Sequence, residues 1–542
     1  MSIAISPGKF IRETRSQIKK TKRTNILAFL LFFLLAIPVV YYLGTNYSLG
    51  LFHRNELREG MIGQPRFLNP LFSQENEIDR TIVKLVFQSL VKYDFEEKQF
   101  VGDIAEKFEI EEDGKVYRFW IKDNIFFHDG QKLTIDDVLF TYQIIQHDNY
   151  HGYWRGAFSN VQIEKLNSTE FKITLEEPLA SFLEHNTVGI IPQHHFENID
   201  DALRPDHIFN VSPTGSGQFA YDKKELYTGD TSKILNLTLK NQNKNSQVKQ
   251  IRFQFYDNEE NLLNAYKMGE IHSFGTLNSQ FKKLLSEWNN YQLEIQTLQQ
   301  RYYALFFNLS SDKKINTPET REAFCYALDK EKMTSDVFPN ESIKIMQGPL
   351  ESTSWAFNPE VKKFEYDLEQ AREVFTNLSE EERNFIFTYP TSTINEKTAI
   401  FIKESWEKAG LNIILRPIAI HQLRDQVVGP RNFEILLLGQ ETSIDPDRYA
   451  FWHSTQKDYP LLNITQIEDR FIDRALEQGR KKTDQNERKE AYFDFQRYFQ
   501  NEIPSYMLYQ PNYYYFVSNR FANKIQIDNL GIPEDRFHSL LQ

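Results

Sequence analysis

Apolar residues recur along this chain in three rhythms, each predicting a different element. Ile26–Leu43, ILAFLLFFLLAIPVVYYL, is an apolar run without a charge. Its eighteen residues, at a helical rise, span about 27 Å, close to the hydrocarbon thickness of a bilayer. Pro38 would kink such a helix without preventing a span. A three-and-four spacing places Ile78, Ile82, Leu85, Val86 and Leu90 on one helix face. Alternation over Lys107–Ile110 and Val116–Ile121, meeting at Glu112, Asp113 and Gly114, predicts a hairpin. The chain then turns at His128, Asp129 and Gly130 and enters a helix through Thr134, with Asp136 and Asp137 in the first turn, where the macrodipole favours acids.

The continuous apolar stretch at 302–308 predicts a core strand, and beyond Asn308 helices and short strands alternate. The pattern predicts helices Pro318–Leu328, Leu368–Leu378, Ile394–Ala409, Glu468–Lys482 and Gln485–Asn501, with strands Asn384–Tyr389, Asn412–Ile418 and Phe433–Leu438. Such alternation implies parallel strands with right-handed crossovers. Phe433–Leu438 reads as a strand buried on both faces that stops at Gly439. The polar, turn-rich loop Gln440–Asp447 then leaves the strand's carboxyl end, where open α/β sheets place ligands. The competing reading is a proline turn with Asp447 capping a helix Arg448–His453. The stretch 503–517 is expected to return as one strand to the first half, so two lobes would be joined by crossings near 300 and near 505.

At 542 residues the chain has room for two or three packed lobes. Its net charge of −12 is unevenly spread: residues 1–24 hold seven basic side chains against Glu13, so the remainder is more acidic than the total. An acidic body excludes a nucleic-acid partner, which needs a basic face. The basic flank beside the apolar run places the tail in the cytoplasm and the body outside. An uncleaved anchor is favoured over a signal peptide: the run is long, no small-x-small site ends it, and no cysteine follows to accept a lipid. Cys325, the one cysteine, can form neither an intrachain disulfide nor a metal site alone and reads as a buried structural thiol.

Candidate chemistry is sparse. FHDG at 127–130 offers one histidine and one aspartate, short of a ligand set, and reads as a turn. Gly215 and Gly217 in TGSG lack the GKS/T of a phosphate loop and would instead let backbone approach the neighbouring lobe closely. Tyr150, Tyr153 and Trp154, beside Arg155, are either a ligand wall or core. Asp445 with Asp447, or Glu75 with Glu441, could act as acid and base in an extracytoplasmic hydrolase. Against that reading, there is no nucleophile elbow near a suitable histidine and no HExxH spacing. A tethered ligand sensor is a third reading, although a tail of 24 residues is too short for a signalling domain.

LNP at 68–70, DGKVYRFWIK at 113–122, FHDG, TIDDV at 134–138, SPTGSGQF at 212–219, NAYKMGEI at 264–271, FFNLSS at 306–311, TREAFCYALDKEKM at 320–333 and the DPD loop occur in this order. Over about residues 56–520 the chain resembles the periplasmic solute-binding proteins of ABC importers of the dipeptide, oligopeptide and nickel class, family 5. The resemblance implies an α/β, periplasmic-binding-protein-like type II fold of two hinged lobes, here preceded by one transmembrane helix. The expected segments are a basic tail at 1–24, an anchor at 25–43, a linker at 44–58, a first lobe at 59–300 with an extra subdomain at about 81–180, a second lobe at 301–505 and a return at 506–542. It also implies a monomeric, non-enzymatic receptor, without cofactor or metal, that catches a peptide or similar solute and delivers it to permease subunits.

In peptide-binding members an aspartate shortly before the DP turn pairs with the peptide's α-ammonium. That position falls here on Thr442 or Ser443, with Glu441 adjacent and Gln440 where family members often carry tryptophan. A neutral residue does not offset the cost of desolvating an ammonium, so either Glu441 supplies the contact or the solute is not a free-amino peptide. By position, Gln74, Glu75 and Asn76 would contribute from the first lobe, with Trp154 as a wall.

Overall fold

Two large sheets carry the fold. The computed structural model describes residues 55–222, 236–288, 290–310, 315–527 and 529–541. The expected tail and anchor at 1–43 lie outside these; among the described residues no helix is long and apolar enough to cross a membrane. Leu57–Gln542 forms one compact unit.

The first sheet has seven strands in the order Tyr291–Thr297, Asn512–Ser518, Ser273–Thr276, Glu56–Ile62, Gln250–Tyr256, Asn236–Asn241 and Phe219–Tyr221. The predicted hairpin is present: Ala105–Glu111 pairs antiparallel with Val116–Ile121 through a turn at Glu112–Gly114. It belongs to a separate four-stranded sheet with Glu170–Leu175 and Val161–Lys165. The helix after the second turn, Ile135–Gln146, opens on a capping box between Thr134 and Asp137, which satisfies two of its orphan N–H groups. Helix Glu77–Val86 buries Ile78, Ile82, Leu85 and Val86 but ends at Phe87, so Leu90 reaches the same core from beyond the helix.

The second sheet has six strands, ordered Lys344–Ile345, Ser505–Gln510, Arg301–Phe307, Ile435–Glu441, Asn384–Pro390 and Asn412–Ile418. The first part of Ile435–Glu441, Ile435 to Leu437, is buried on both faces, as its composition predicts. Ile435 and Leu437 pack with Leu305 and Phe307 on one side, while Leu436 packs with Ala304 and Phe306 on the other. Each such leucine contributes roughly 1.5–3 kcal/mol of burial.

Two expectations are corrected here. The sheet is mixed rather than parallel: Asn384–Pro390 pairs parallel with both Asn412–Ile418 and Ile435–Glu441, whereas Arg301–Phe307 pairs antiparallel with Ile435–Glu441 and with Ser505–Gln510. Helical crossovers produce the parallel pairs, and the antiparallel strands are those adjoining the other half. The strand also continues through Gly439 to Glu441. A Cβ on Gly439 would lie 3.1 Å from the Tyr303 ring, so the glycine makes room for an aromatic neighbour instead of ending the strand.

The 503–517 stretch is two strands, and the chain passes between sheets at Pro511. It also passes at Leu298–Gln300, and the two passages are bonded together. Leu298 N–H donates to Pro511 O at 3.0 Å, and the Gln510 amide donates to Leu298 O and Gln299 O at 3.2 and 3.0 Å.

The glycines of TGSG approach backbone closely, although it belongs to helix Glu77–Val86 of the same half rather than to the neighbouring lobe. Gly217 N–H donates to Val86 O at 2.8 Å, and a Cβ on Gly215 would stand 2.0 Å from that carbonyl oxygen. The His128 ring joins the loop through Gly215 N–H and Gly217 O. Gly215→Ala is therefore expected to destabilise the protein by at least the ~1–3 kcal/mol typical of overpacking. A thermal melt of the variant that superimposes on the parent's would contradict the close approach.

Candidate functional site

Antiparallel register places Arg301 opposite Glu441 and Tyr302 opposite Gln440. Arg301 Nη1 lies 3.4 Å from Glu441 Oε1, and Tyr302 Oη donates to Gln440 Oε1 at 2.6 Å. From the first half, Arg80 on helix Glu77–Val86 brings Nη2 to 3.5 Å from Glu441 Oε2. Arg80 also donates through Nε to Glu534 at 2.5 Å and through Nη1 to Gln74 O at 2.9 Å. Glu441 thus lies between two guanidinium groups, one from each half. Burial pushes Glu534 up to about 7, with Arg80 opposing.

Tyr153 stands beside this trio. It is 66% exposed, yet burial pushes its hydroxyl up to about 12, with Glu184 and Glu441 adding to the rise and Arg80 opposing it. Its neighbours Tyr150 and Trp154 are core: Tyr150 Oη donates to Leu71 O at 2.8 Å and Trp154 Nε1 to Pro70 O at 3.2 Å. Trp154 accordingly faces the interior rather than walling a ligand.

The loop after Glu441 is held from several sides. Thr442 is buried, its N–H donating to Gln300 O at 2.7 Å and its hydroxyl to Glu351 at 3.0 Å. Glu351 in turn takes two bonds from buried Arg448, at 3.2 and 3.0 Å. Ser443 Oγ donates to Asp445 O at 2.9 Å. Asp445 receives Arg488 at 2.6 Å, and Asp447 receives Arg480 at 2.7 Å and Ser181 at 3.1 Å. Burial alone would raise Asp447, but Arg480, the Tyr449 N–H and Ser181 hold it below the usual carboxylate range. The helix that follows is Tyr449–Trp452, with Asp447 accepting its first N–H at 2.9 Å, so the capping reading of this aspartate holds in part. Glu75 is exposed and pairs with Arg424 at 3.3 Å, worth about 0–1 kcal/mol at such exposure. All four carboxylates considered for acid–base work therefore sit beside a cation.

Asn76 caps helix Glu77–Val86, accepting from Ile78 N–H at 3.0 Å and donating to Gln64 O at 2.8 Å. The polar atoms of Asn76, Trp154, Thr442 and Ser443 are thus engaged within the protein, as is Gln440 through Tyr302, whereas Glu75 and Glu441 each meet an arginine of the other half. Sequence reasoning missed Arg80, Arg301 and Glu184. Arg301 did carry a signal, being the one charge on an otherwise apolar strand, whereas Arg80 shares its helix with Glu77, Asp79 and Lys84 and stands out from nothing.

Glu184 joins the halves directly, accepting from Ile444 N–H at 3.1 Å and Asp445 N–H at 3.4 Å. Burial and then the Asp445 carboxylate push Glu184 up to about 8, against the two N–H groups and Arg448. The folded protein therefore keeps a proton that the unfolded chain releases near 4.5. That contribution to stability is complete below the unfolded value and is lost as pH rises through 8. Glu184→Gln retains an acceptor and removes the titration, so the fall in Tm from about pH 5 to about pH 9 should be shallower in the variant. Parallel Tm profiles would show that Glu184 is not the titrating group. Glu351→Ala strands the buried Arg448 guanidinium and should cost roughly 3–5 kcal/mol, read by denaturant unfolding; a loss below about 1 kcal/mol, typical of an exposed pair, would contradict the buried network.

The chain as a whole is similar to known proteins. Oligopeptide-binding protein AppA of Bacillus subtilis is 25% identical over 482 residues, covering 84% of this chain and 86% of its own. The probable D,D-dipeptide-binding periplasmic protein DdpA of Escherichia coli is 23% identical over 477 residues, covering 84% and 88%. The crystal structure of the ABC transporter substrate binding protein CtaP from Listeria monocytogenes superimposes with a TM-score of 0.78 at 22% identity, over 89% of this chain and 98% of that one; at that identity the likeness is one of fold. The profile described as bacterial extracellular solute-binding proteins, family 5 Middle, matches residues 99–459, more than half of the chain, and the protein belongs to that family.

Proposed function

We propose that this protein is a membrane-tethered, extracytoplasmic receptor that catches a peptide or peptide-like solute between two hinged lobes and delivers it to the permease subunits of an ABC importer. Relatives named for oligopeptides and D,D-dipeptides support the solute class. The observation that carries the reading is the meeting of Arg80 and Glu441 from two halves linked by backbone passages at Leu298–Gln300 and Pro511. Lobes joined in this way can close about those passages, and a solute enclosed between them makes stronger polar contacts as water leaves. Closure requires that the solute bind the closed state better than the open one. Residues 25–43 would anchor the receptor, with 1–24 inside the cell, and it would work as a monomer. A hydrolase on the same fold is disfavoured because Asp445, Asp447, Glu75 and Glu441 serve as counter-ions.

The proposed contacts are Tyr153, Arg80 and Glu75 from the first lobe and Arg301, Gln440 and Glu441 from the second. An incoming ammonium would have to draw Glu441 away from two arginines and leave a partly desolvated guanidinium unpaired. The slot therefore favours a solute that is neutral or anionic here, such as an amino-blocked or acidic peptide. Thermal shifts of the full-length chain with matched free and N-acetylated peptides test this, because a ligand of the folded state raises Tm in proportion to its saturation. N-acetylation is expected to preserve or enlarge the shift. A shift abolished by acetylation would return Glu441 to the role of ammonium acceptor, and no shift with any peptide would overturn the receptor reading.

A further inference from the structure

The turn His128–Gly130 and the 3-10 turn Gln193–His195 meet on the surface of the first half. His128 bonds to the glycine loop, but its neighbour Asp129 is met by two histidines distant in sequence. His194 Nε2 lies 2.7 Å and His195 Nε2 2.9 Å from the same oxygen, Asp129 Oδ2. The three ligand atoms all fall within 4.8 Å of one another. We propose that Asp129, His194 and His195 form a binding site for a divalent transition-metal ion of the zinc, nickel or cobalt class.

The donor set defines that class. Two imidazole nitrogens and one carboxylate oxygen suit zinc, nickel and cobalt, whereas magnesium and calcium take oxygen ligands. Zinc binds imidazole nitrogen at about 2.0–2.1 Å and carboxylate oxygen at about 2.0–2.2 Å, so tetrahedral ligand atoms stand about 3.4 Å apart. The nitrogens, now at 2.7 and 2.9 Å, need to withdraw by about 0.5–0.7 Å from Oδ2 to admit an ion. Three protein ligands leave one position for water, and the exposed cluster gives the ion a path in.

The ligands are held in place independently of an ion. Asp129 Oδ1 accepts from Gln131 N–H at 3.1 Å, which orients the other oxygen toward the histidines. Gln193 N–H donates to Asp137 Oδ1 at 2.9 Å, fixing the start of the histidine turn. The Phe127 ring lies edge-on to His194 at 5.7 Å, and Phe209 packs on His195 at the same distance. An ion at this place would cross-link the two turns, a role separate from solute capture in the cleft.

Calorimetric titration of the untagged full-length chain with zinc, nickel, cobalt and magnesium chlorides tests the site. The expected result is one zinc, nickel or cobalt ion per chain and no magnesium. His194→Ala and Asp129→Asn should each weaken binding by more than the roughly 10- to 100-fold that loss of an outer-shell partner costs, while His151→Ala, at an exposed histidine elsewhere, leaves it unchanged. Cobalt added to the unaltered chain should develop the intense visible absorption of a four-coordinate ion, a readout that depends on no substitution. Failure to bind any of the three transition ions, or equal loss in the His151→Ala control, would overturn the proposal, as would a cobalt titration that stays pale.

Discussion

The two halves of this protein are joined by backbone passages that hydrogen-bond to each other. Leu298–Gln300 leads out of the seven-stranded sheet, Pro511 leads back to it, and the Gln510 amide spans them. Each passage continues directly into sheet strands on both sides. The same arrangement accounts for much of the mixed six-stranded sheet: beside the short edge strand Lys344–Ile345, its antiparallel strands Arg301–Phe307 and Ser505–Gln510 are the ones that have just crossed or are about to cross. Arg301 and Glu441 stand in register at the end of these strands, where the proposed solute site would lie.

Charge does the rest of the positioning. The DPD loop is held by Arg448, Arg480 and Arg488, each paired with a different acid. Across the gap, Arg80 reaches Glu441, and Glu184 accepts two N–H groups of the opposing loop. Buried ion pairs contribute little net stability but are costly to break singly. They therefore serve to keep the loop in one conformation.

Much of this was legible in the chain itself. The hairpin, the capped helix at Thr134, the doubly buried strand and the ordered motifs of the family all rest on local periodicity or spacing, and they survive. What failed was long-range. Nothing near Glu441 announces that Arg80 will pair with it, and nothing near Thr442 points to Glu351, because partners brought together by folding leave no mark in local sequence. Two misreadings did have local signals. Pro511 lacks an N–H for a ladder and marks the break between the two strands of the apolar stretch 503–517. Gly439 was read as a terminator, although glycine inside a strand equally marks a close neighbour, here the Tyr303 ring. The histidine pair at 194 and 195 went unremarked because its aspartate lies in a different turn.

The central claim is that the halves enclose a small solute and leave it chemically unchanged. Native mass spectrometry of the full-length chain, purified and then exposed to a defined peptide mixture, tests that most directly. The account predicts one non-covalent adduct per chain whose released mass equals that of a peptide supplied or carried through purification, and which does not change on prolonged incubation. Cleaved products accumulating in the mixture, or a chain that emerges free of any adduct, would contradict it.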